Sequence, residues 1–227
     1  MKHLLFLHGA IGAKDQLEPL ANILADDFQG HLFNFSGHGG KESNGAFSIE
    51  MFATEVWDWI HQTKPDKINI FGYSMGGYVA LYLAAHHPEA VDRMITLGTK
   101  YQWSQEIAAK ETAMLNAGAM ETKVPKFAAQ LRQRHSPADW KIVLEKTANM
   151  LLAMGSRPPL QIADFSQIKN EVLLLLGDKD KMVTLQETAE VFRQLPNAQL
   201  GVLPNTSHPV EAADKEHLAF VIRKFLQ

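Results

Sequence analysis

The sequence predicts an α/β fold: a doubly wound, mostly parallel six-stranded sheet carrying an all-helical insertion. Three observations lead there. Short apolar runs alternate with amphipathic helical stretches in both the first and last parts of the chain. The middle, about 99–165, shows helical spacing and no strand. The run Glu171-Val172-Leu173-Leu174-Leu175-Leu176 has the unbroken apolar character of a strand covered on both faces. The expected division is a first core part at 1–98, an all-helical insertion at 99–165 and a second core part at 166–227.

Taken in order, His3–Leu7 is the first strand, ending at His8-Gly9. Leu17, Leu20, Ala21 and Leu24 then mark one helical face, with Asp15 as its expected cap. His31–Phe35 reads as the second strand, stopped by the glycine-rich turn at 36–40. A helix follows from about Ser48, with Ile49, Phe52, Ala53, Val56 and Ile60 on one side. Lys64-Pro65-Asp66 leads into a third strand, Lys67–Phe71, and a helix from Met75 to about Pro88 precedes a fourth, Val91–Leu97.

In the inserted stretch, Ser104 to Ala117 reads as one helix ending at Gly118, and Val124, Phe127, Ala128 and Leu131 mark another. Ser136-Pro137 looks like a cap followed by proline at the first helical position. Trp140, Val143, Leu144, Thr147, Leu151 and Met154 then recur at helical spacing. Beyond the fifth strand, Thr184 and Glu187 form a capping box. The sixth strand is Ala198–Leu203, and a last helix runs from about Val210.

The bulk properties narrow the function. The 227 residues suffice for one large domain, with 46% hydrophobic and 21% charged residues. A net charge of −3 gives no reason to expect nucleic acid or an anionic membrane as partner. Without cysteine there is no thiol nucleophile, disulfide or thiolate metal site, which fits a cytoplasmic protein. No apolar run is long enough for a membrane span, and the N-terminal one is too short for a signal peptide. No cofactor motif is seen, and no helix carries a metal-binding His spacing.

In a parallel sheet, ligands bind beyond the carboxyl ends of the strands. After the third strand comes Gly72-Tyr73-Ser74-Met75-Gly76, a Gly-x-Ser-x-Gly between strand and helix. That chemistry needs a serine on a sharp turn, with the helix N-terminus aimed at developing negative charge. After the first strand, His8-Gly9-Ala10 offers a second donor, so the backbone N–H groups of Ala10 and Met75 are the expected oxyanion hole. After the fifth comes Gly177-Asp178-Lys179-Asp180, and after the sixth Ser207-His208-Pro209. The order Ser, Asp, His assigns Ser74 as nucleophile, His208 as base and Asp180 as orienting acid. Asp178 competes with Asp180, and His38, which also follows a strand, competes with His208.

With Leu7-His8-Gly9, Gly37-His38-Gly39, the serine elbow, Gly177-Asp178-Lys179-Asp180 and Ser207-His208 in this order, the chain resembles the α/β-hydrolase superfamily over essentially its whole length. The resemblance implies the same three catalytic positions and a helical cap at 99–165. It also implies a core trimmed of the first two strands common in the family. Asn34 stands where many relatives carry aspartate, and serine at the elbow argues against the dehalogenases and epoxide hydrolases, which use aspartate there.

The expected activity is hydrolysis of a small carboxylic ester or thioester through an acyl-serine, with a small acyl compound as partner. C–C bond hydrolysis or elimination on a metabolite carboxylate is the alternative, and ligand binding without chemistry the third. Met114, Met120, Met150, Met154, Trp103, Trp140 and Phe127 either line an apolar pocket or, for most of them, pack the helices on the core, and Arg132, Arg134, His135 and Arg157 either form a solvated face or contact an acidic substrate.

Overall fold

The computed structural model describes residues 1–43, 45–63 and 67–227. Six strands form one sheet: β1 (Lys2–Leu7), β2 (Phe28–Phe33), β3 (Ile68–Tyr73), β4 (Val91–Leu97), β5 (Glu171–Gly177) and β6 (Ala198–Leu203). Their spatial order is β2-β1-β3-β4-β5-β6, and every neighbouring pair is parallel.

Successive side chains of a strand point to opposite faces, and each face has its own helices. Leu4 and Phe6 face α1 (Glu18–Ile23) and α9 (Lys215–Leu226), packing with Leu20, Leu218 and Ile222. Leu5 and Leu7 face the other layer, α2 (Ile49–Thr63), α3 (Met75–His86) and α8 (Leu185–Gln194), with Phe52, Val79 and Val191. Residues Leu4 to Leu7 are fully buried, as a doubly covered central strand must be.

From β1 the chain moves to β2 on one side and returns to β3 on the other. The crevice between the carboxyl ends of β1 and β3 is therefore a switch point, where open parallel sheets bind ligands. Four helices lie between β4 and β5: α4 (Gln105–Thr112), α5 (Ala117–Lys123), α6 (Pro125–His135) and α7 (Trp140–Ser156). Among the described residues, no helix is long and apolar enough to cross a membrane.

Several local expectations need correction. β2 spans 28–33 rather than 31–35, because its pairing with β1 begins at Lys2–Phe28 and Asn34 already leads into the turn. Asp15 caps no helix: it lies in a 3₁₀ turn at 14–16, and α1 opens at Leu17 without a side-chain cap. The stretch expected as one helix to Ala117 is two, because Asn116 caps α5 by accepting from the Ala119 N–H, which leaves Gly118 inside that helix. Ser136-Pro137 starts no helix; α7 is capped by Asp139, which accepts from the Lys141 N–H. Residues 210–212 form a 3₁₀ turn, and Asp214 caps α9. Lys64-Pro65-Asp66 lies outside the described residues.

The segment leading into β5 is tied to the core by one side chain. The Tyr78 hydroxyl, buried on α3, accepts from the Leu160 N–H at 3.1 Å and donates to the Leu160 carbonyl at 3.3 Å. Tyr78→Phe leaves both backbone groups buried and unpaired. It is expected to lower unfolding free energy by about 1–3 kcal/mol in urea titration; a change under about 0.5 kcal/mol contradicts this account.

Candidate active site

Ser74 is the first residue beyond β3 and the N-cap of α3, with φ 50° and ψ −115°. A non-glycine residue at positive φ is uncommon, and here neighbours hold it in place. Its N–H donates to the Leu97 carbonyl at 2.9 Å, and its carbonyl accepts from the Thr99 hydroxyl at 3.0 Å and the Gly77 N–H at 3.1 Å. Gly76 is required by close approach, since a Cβ there would lie 2.2 Å from the Leu7 carbonyl oxygen.

The structure brings Ser74, His208 and Asp180 together from loops after β3, β6 and β5. Ser74 Oγ is 3.3 Å from His208 Nε2, and His208 Nδ1 is 2.8 Å from Asp180 Oδ2. Asp180 Oδ1 accepts from the Met182 and Val183 N–H groups at 2.8 and 2.9 Å. Burial pushes the Asp180 carboxyl up, but the hydrogen bonds from His208, Val183 and Met182 and the imidazole's charge outweigh it and hold the group below the ordinary carboxylate value. Of the two alternatives left open by the sequence, Asp178 is exposed and accepts instead from the Thr206 N–H at 2.9 Å, fixing the loop that carries His208.

His38 is elsewhere. It is buried against Phe47, with its ring centre 5.0 Å from that of His8 and 5.8 Å from that of His135, and it lines neither cavity that contains Ser74. Hydrogen bonds fix the form of two members of this trio. His8 Nδ1–H donates to the Gly9 carbonyl while Nε2 accepts from the Phe35 N–H. His135 Nδ1 accepts from the Gly39 N–H at 3.2 Å, so Nε2–H donates to the Ile11 carbonyl at 3.0 Å. Both rings are neutral in these roles. Burial lowers all three, His8 to about 3.

Ala10 and Met75 both border the Ser74 cavity, and among the described residues no turn or loop carbonyl takes their N–H groups. That cavity, about 70 Å³, is walled by Trp103, Met150 and Met154 and by Ile49, Tyr78 and Val183. A neighbouring cavity shares Ala10, Ser74, Glu111, Leu151, Met182 and His208 with it and adds Met114, Phe127 and Arg134. Met120 and Trp140 instead pack with Leu131 and Leu144 between the helices. Arg134 faces Asp15 at 3.0 Å and Glu211 at 3.7 Å, Arg132 pairs with Glu121, and Arg157 is exposed.

Sequence reasoning missed Gly98 and Glu111. Gly98 has φ 60°, and a Cβ there would lie 3.3 Å from Asp180 Oδ2 and 3.4 Å from His208 Nδ1. Its place directly after β4 was the available signal. Among the described residues, no group of three or more His, Cys, Asp or Glu side chains could hold a metal ion.

A parallel sheet with a serine elbow and an imidazole–carboxylate pair at its carboxyl edge defines the hydrolase class to which the comparisons also lead. Residues 2–220 match the model of the alpha/beta hydrolase fold, and the chain belongs to that hydrolase family. The 2-hydroxymuconate semialdehyde hydrolase of Pseudomonas putida is 24% identical over 90% of this chain and 76% of its own. The 2-(acetamidomethylene)succinate hydrolase of Mesorhizobium japonicum is 23% identical over 98% of this chain and 87% of its own. Among solved structures, a thermophilic esterase from Thermogutta terrifontis superposes with a TM-score of 0.80 at 21% identity, covering 100% of this chain and 89% of that one.

The neutral histidines set an acid limit. His8, His38 and His135 have folded-state pKa values below the ordinary 6.5, so the unfolded chain binds more protons below that pH. Their contribution is complete above about 6.5 and is lost as pH falls toward the folded values. Unfolding free energy is expected to drop between pH 7 and 5, by up to about 1.4 kcal/mol per pH unit for each histidine. The window lies above the Asp180 titration, so a flat profile from pH 7 to 5 in denaturant titrations contradicts the neutral trio.

Proposed function

We propose that the protein hydrolyses a small carboxylic ester or thioester through an acyl-serine intermediate, with Ser74 as nucleophile, His208 as general base and Asp180 as orienting acid. The observation that carries the reading is the unbroken relay of 3.3 and 2.8 Å from Ser74 Oγ to His208 to Asp180 at the floor of an apolar cavity.

In this reading, His208 Nε2 takes the Ser74 proton as Oγ attacks the substrate carbonyl. The negative oxygen forms against the N–H groups of Ala10 and Met75, each worth about 2.7–4 kcal/mol in the transition state. The proton then passes to the leaving alcohol or thiol. Water, deprotonated by the same imidazole, then attacks the acyl carbonyl; the bond to Oγ breaks, the acid leaves and the imidazolium returns its proton to Ser74 Oγ. Asp180 holds Nδ1–H in place throughout, so that Nε2 carries the lone pair. A Ser74–His208 separation above the usual O–H···N distance is ordinary before substrate binds. Residues 99–165 serve as a cap: Trp103, Glu111, Met150, Leu151 and Met154 from this stretch border the Ser74 cavity.

A second reading, C–C bond hydrolysis or elimination on a metabolite carboxylate, has the names of the two relatives in its favour, since both name carboxylate compounds or their derivatives. Charge favours the ester. Arg134, the cap arginine on the cavity, already faces the carboxylates of Asp15 and Glu211.

A fluorophosphonate probe should label the wild type and not Ser74→Ala. Asp180→Asn should keep the fold and lower kcat on p-nitrophenyl butyrate by about 10⁴-fold, because the imidazole loses the tautomer that accepts the serine proton. Undiminished labelling of Ser74→Ala, or an Asp180→Asn variant within about tenfold of wild type, defeats the proposed triad.

A further inference from the structure

Glu111 is the one acidic side chain common to the walls of both Ser74 cavities. It sits on α4 and is 6% exposed. Its carboxylate has no hydrogen-bond or ion-pair partner among the described residues, although thirteen other residues around the smaller cavity leave that space almost wholly apolar. Its oxygens open onto the cavity rather than being sealed in protein, so a group bound there can reach them.

The cations nearby are already engaged. Lys100, on the same cavity, donates to the Met182 carbonyl at 2.8 Å and faces Glu187 at 3.6 Å. Arg134, on the larger cavity, faces Asp15 and Glu211. Glu111 is thus left beside Ser74 without a cation of its own among the described residues. Trp103, Tyr78, Met150 and Met154 line the same smaller cavity. Such a wall covers alkyl groups by burial, and its aromatic and thioether surfaces are polarizable enough to favour a cation.

We propose that Glu111 is a specificity-determining residue, and that the substrate carries an alkylammonium group which occupies this wall while its ester carbonyl lies at Ser74. The inference rests on the hydrolase reading for the reaction, but the binding of the cation is separable from turnover. It differs from the carboxylate-metabolite reading in sign: the substrate is a cation, not an anion.

The test uses ester pairs that differ by one atom, nitrogen or carbon. Butyrylcholine is compared with 3,3-dimethylbutyl butyrate, placing the charge in the alcohol part. Methyl 4-(trimethylammonio)butanoate is compared with methyl 5,5-dimethylhexanoate, placing it in the acyl part. In pH-stat assays the wild type should favour the cation of at least one pair by about tenfold or more in kcat/KM, about 1.4 kcal/mol. In Glu111→Gln that ratio should fall to about one. Wild-type ratios of one or below in both pairs overturn the proposal, as does a Glu111→Gln variant that keeps the preference. Calorimetric binding of the same esters to Ser74→Ala separates the two readings. Tighter binding of the cation, lost in Ser74→Ala/Glu111→Gln, sustains the subsite even where the wild type turns over none of these esters. No cation preference in that assay overturns it whatever the turnover.

Discussion

The site depends on a backbone conformation that serine does not favour. At φ 50° Ser74 stands where an L-residue incurs roughly 1–2 kcal/mol, and that conformation places its Oγ at the mouth of the crevice rather than in the sheet. The neighbours over-determine it. Leu97 fixes its N–H, Thr99 and Gly77 share its carbonyl, and the fully buried β3 on one side and the almost wholly buried α3 on the other leave the chain no room to relax. The absence of a side chain at Gly76 follows from the same constraint, because the helix start presses against the end of β1.

Among the described residues, the acids around the site differ in how they are matched. Asp180 is matched three times over, by the imidazole and two backbone N–H groups. Glu187, buried under α8, accepts from the Tyr101 and Thr184 N–H groups and faces Lys100. The three clustered histidines avoid charge altogether. Against this background Glu111 stands out as a group whose partner comes from outside the chain.

Much of the fold was legible because the central strands are covered twice and so are written as plain apolar runs. β1, β4 and β5 were read almost to the residue. β2 was not: it is the edge strand, with only Phe28 and Phe33 buried, and no period marks where its pairing starts. The serine, aspartate and histidine were legible because each follows a strand in a short polar loop. The break between α4 and α5 was hidden by Asn116, whose capping role cannot be told from that of a polar helix residue until the Ala119 N–H is seen beside it. Glu111 was hidden for a similar reason. Gln105–Thr112 reads as a polar surface helix, and only the packing of α4 on α7 turns that one carboxylate inward.

The His135 ring ties three segments that are distant in sequence. It grips the Gly39 amide and the Ile11 carbonyl at once, and Ile11 itself is held at φ 53° directly after Ala10. A swing of α6 away from the sheet would drag the Ile11 turn along or break both of these partly buried bonds together. α6 and the turn after β1 are thereby pinned to each other, next to the residue that borders the Ser74 cavity.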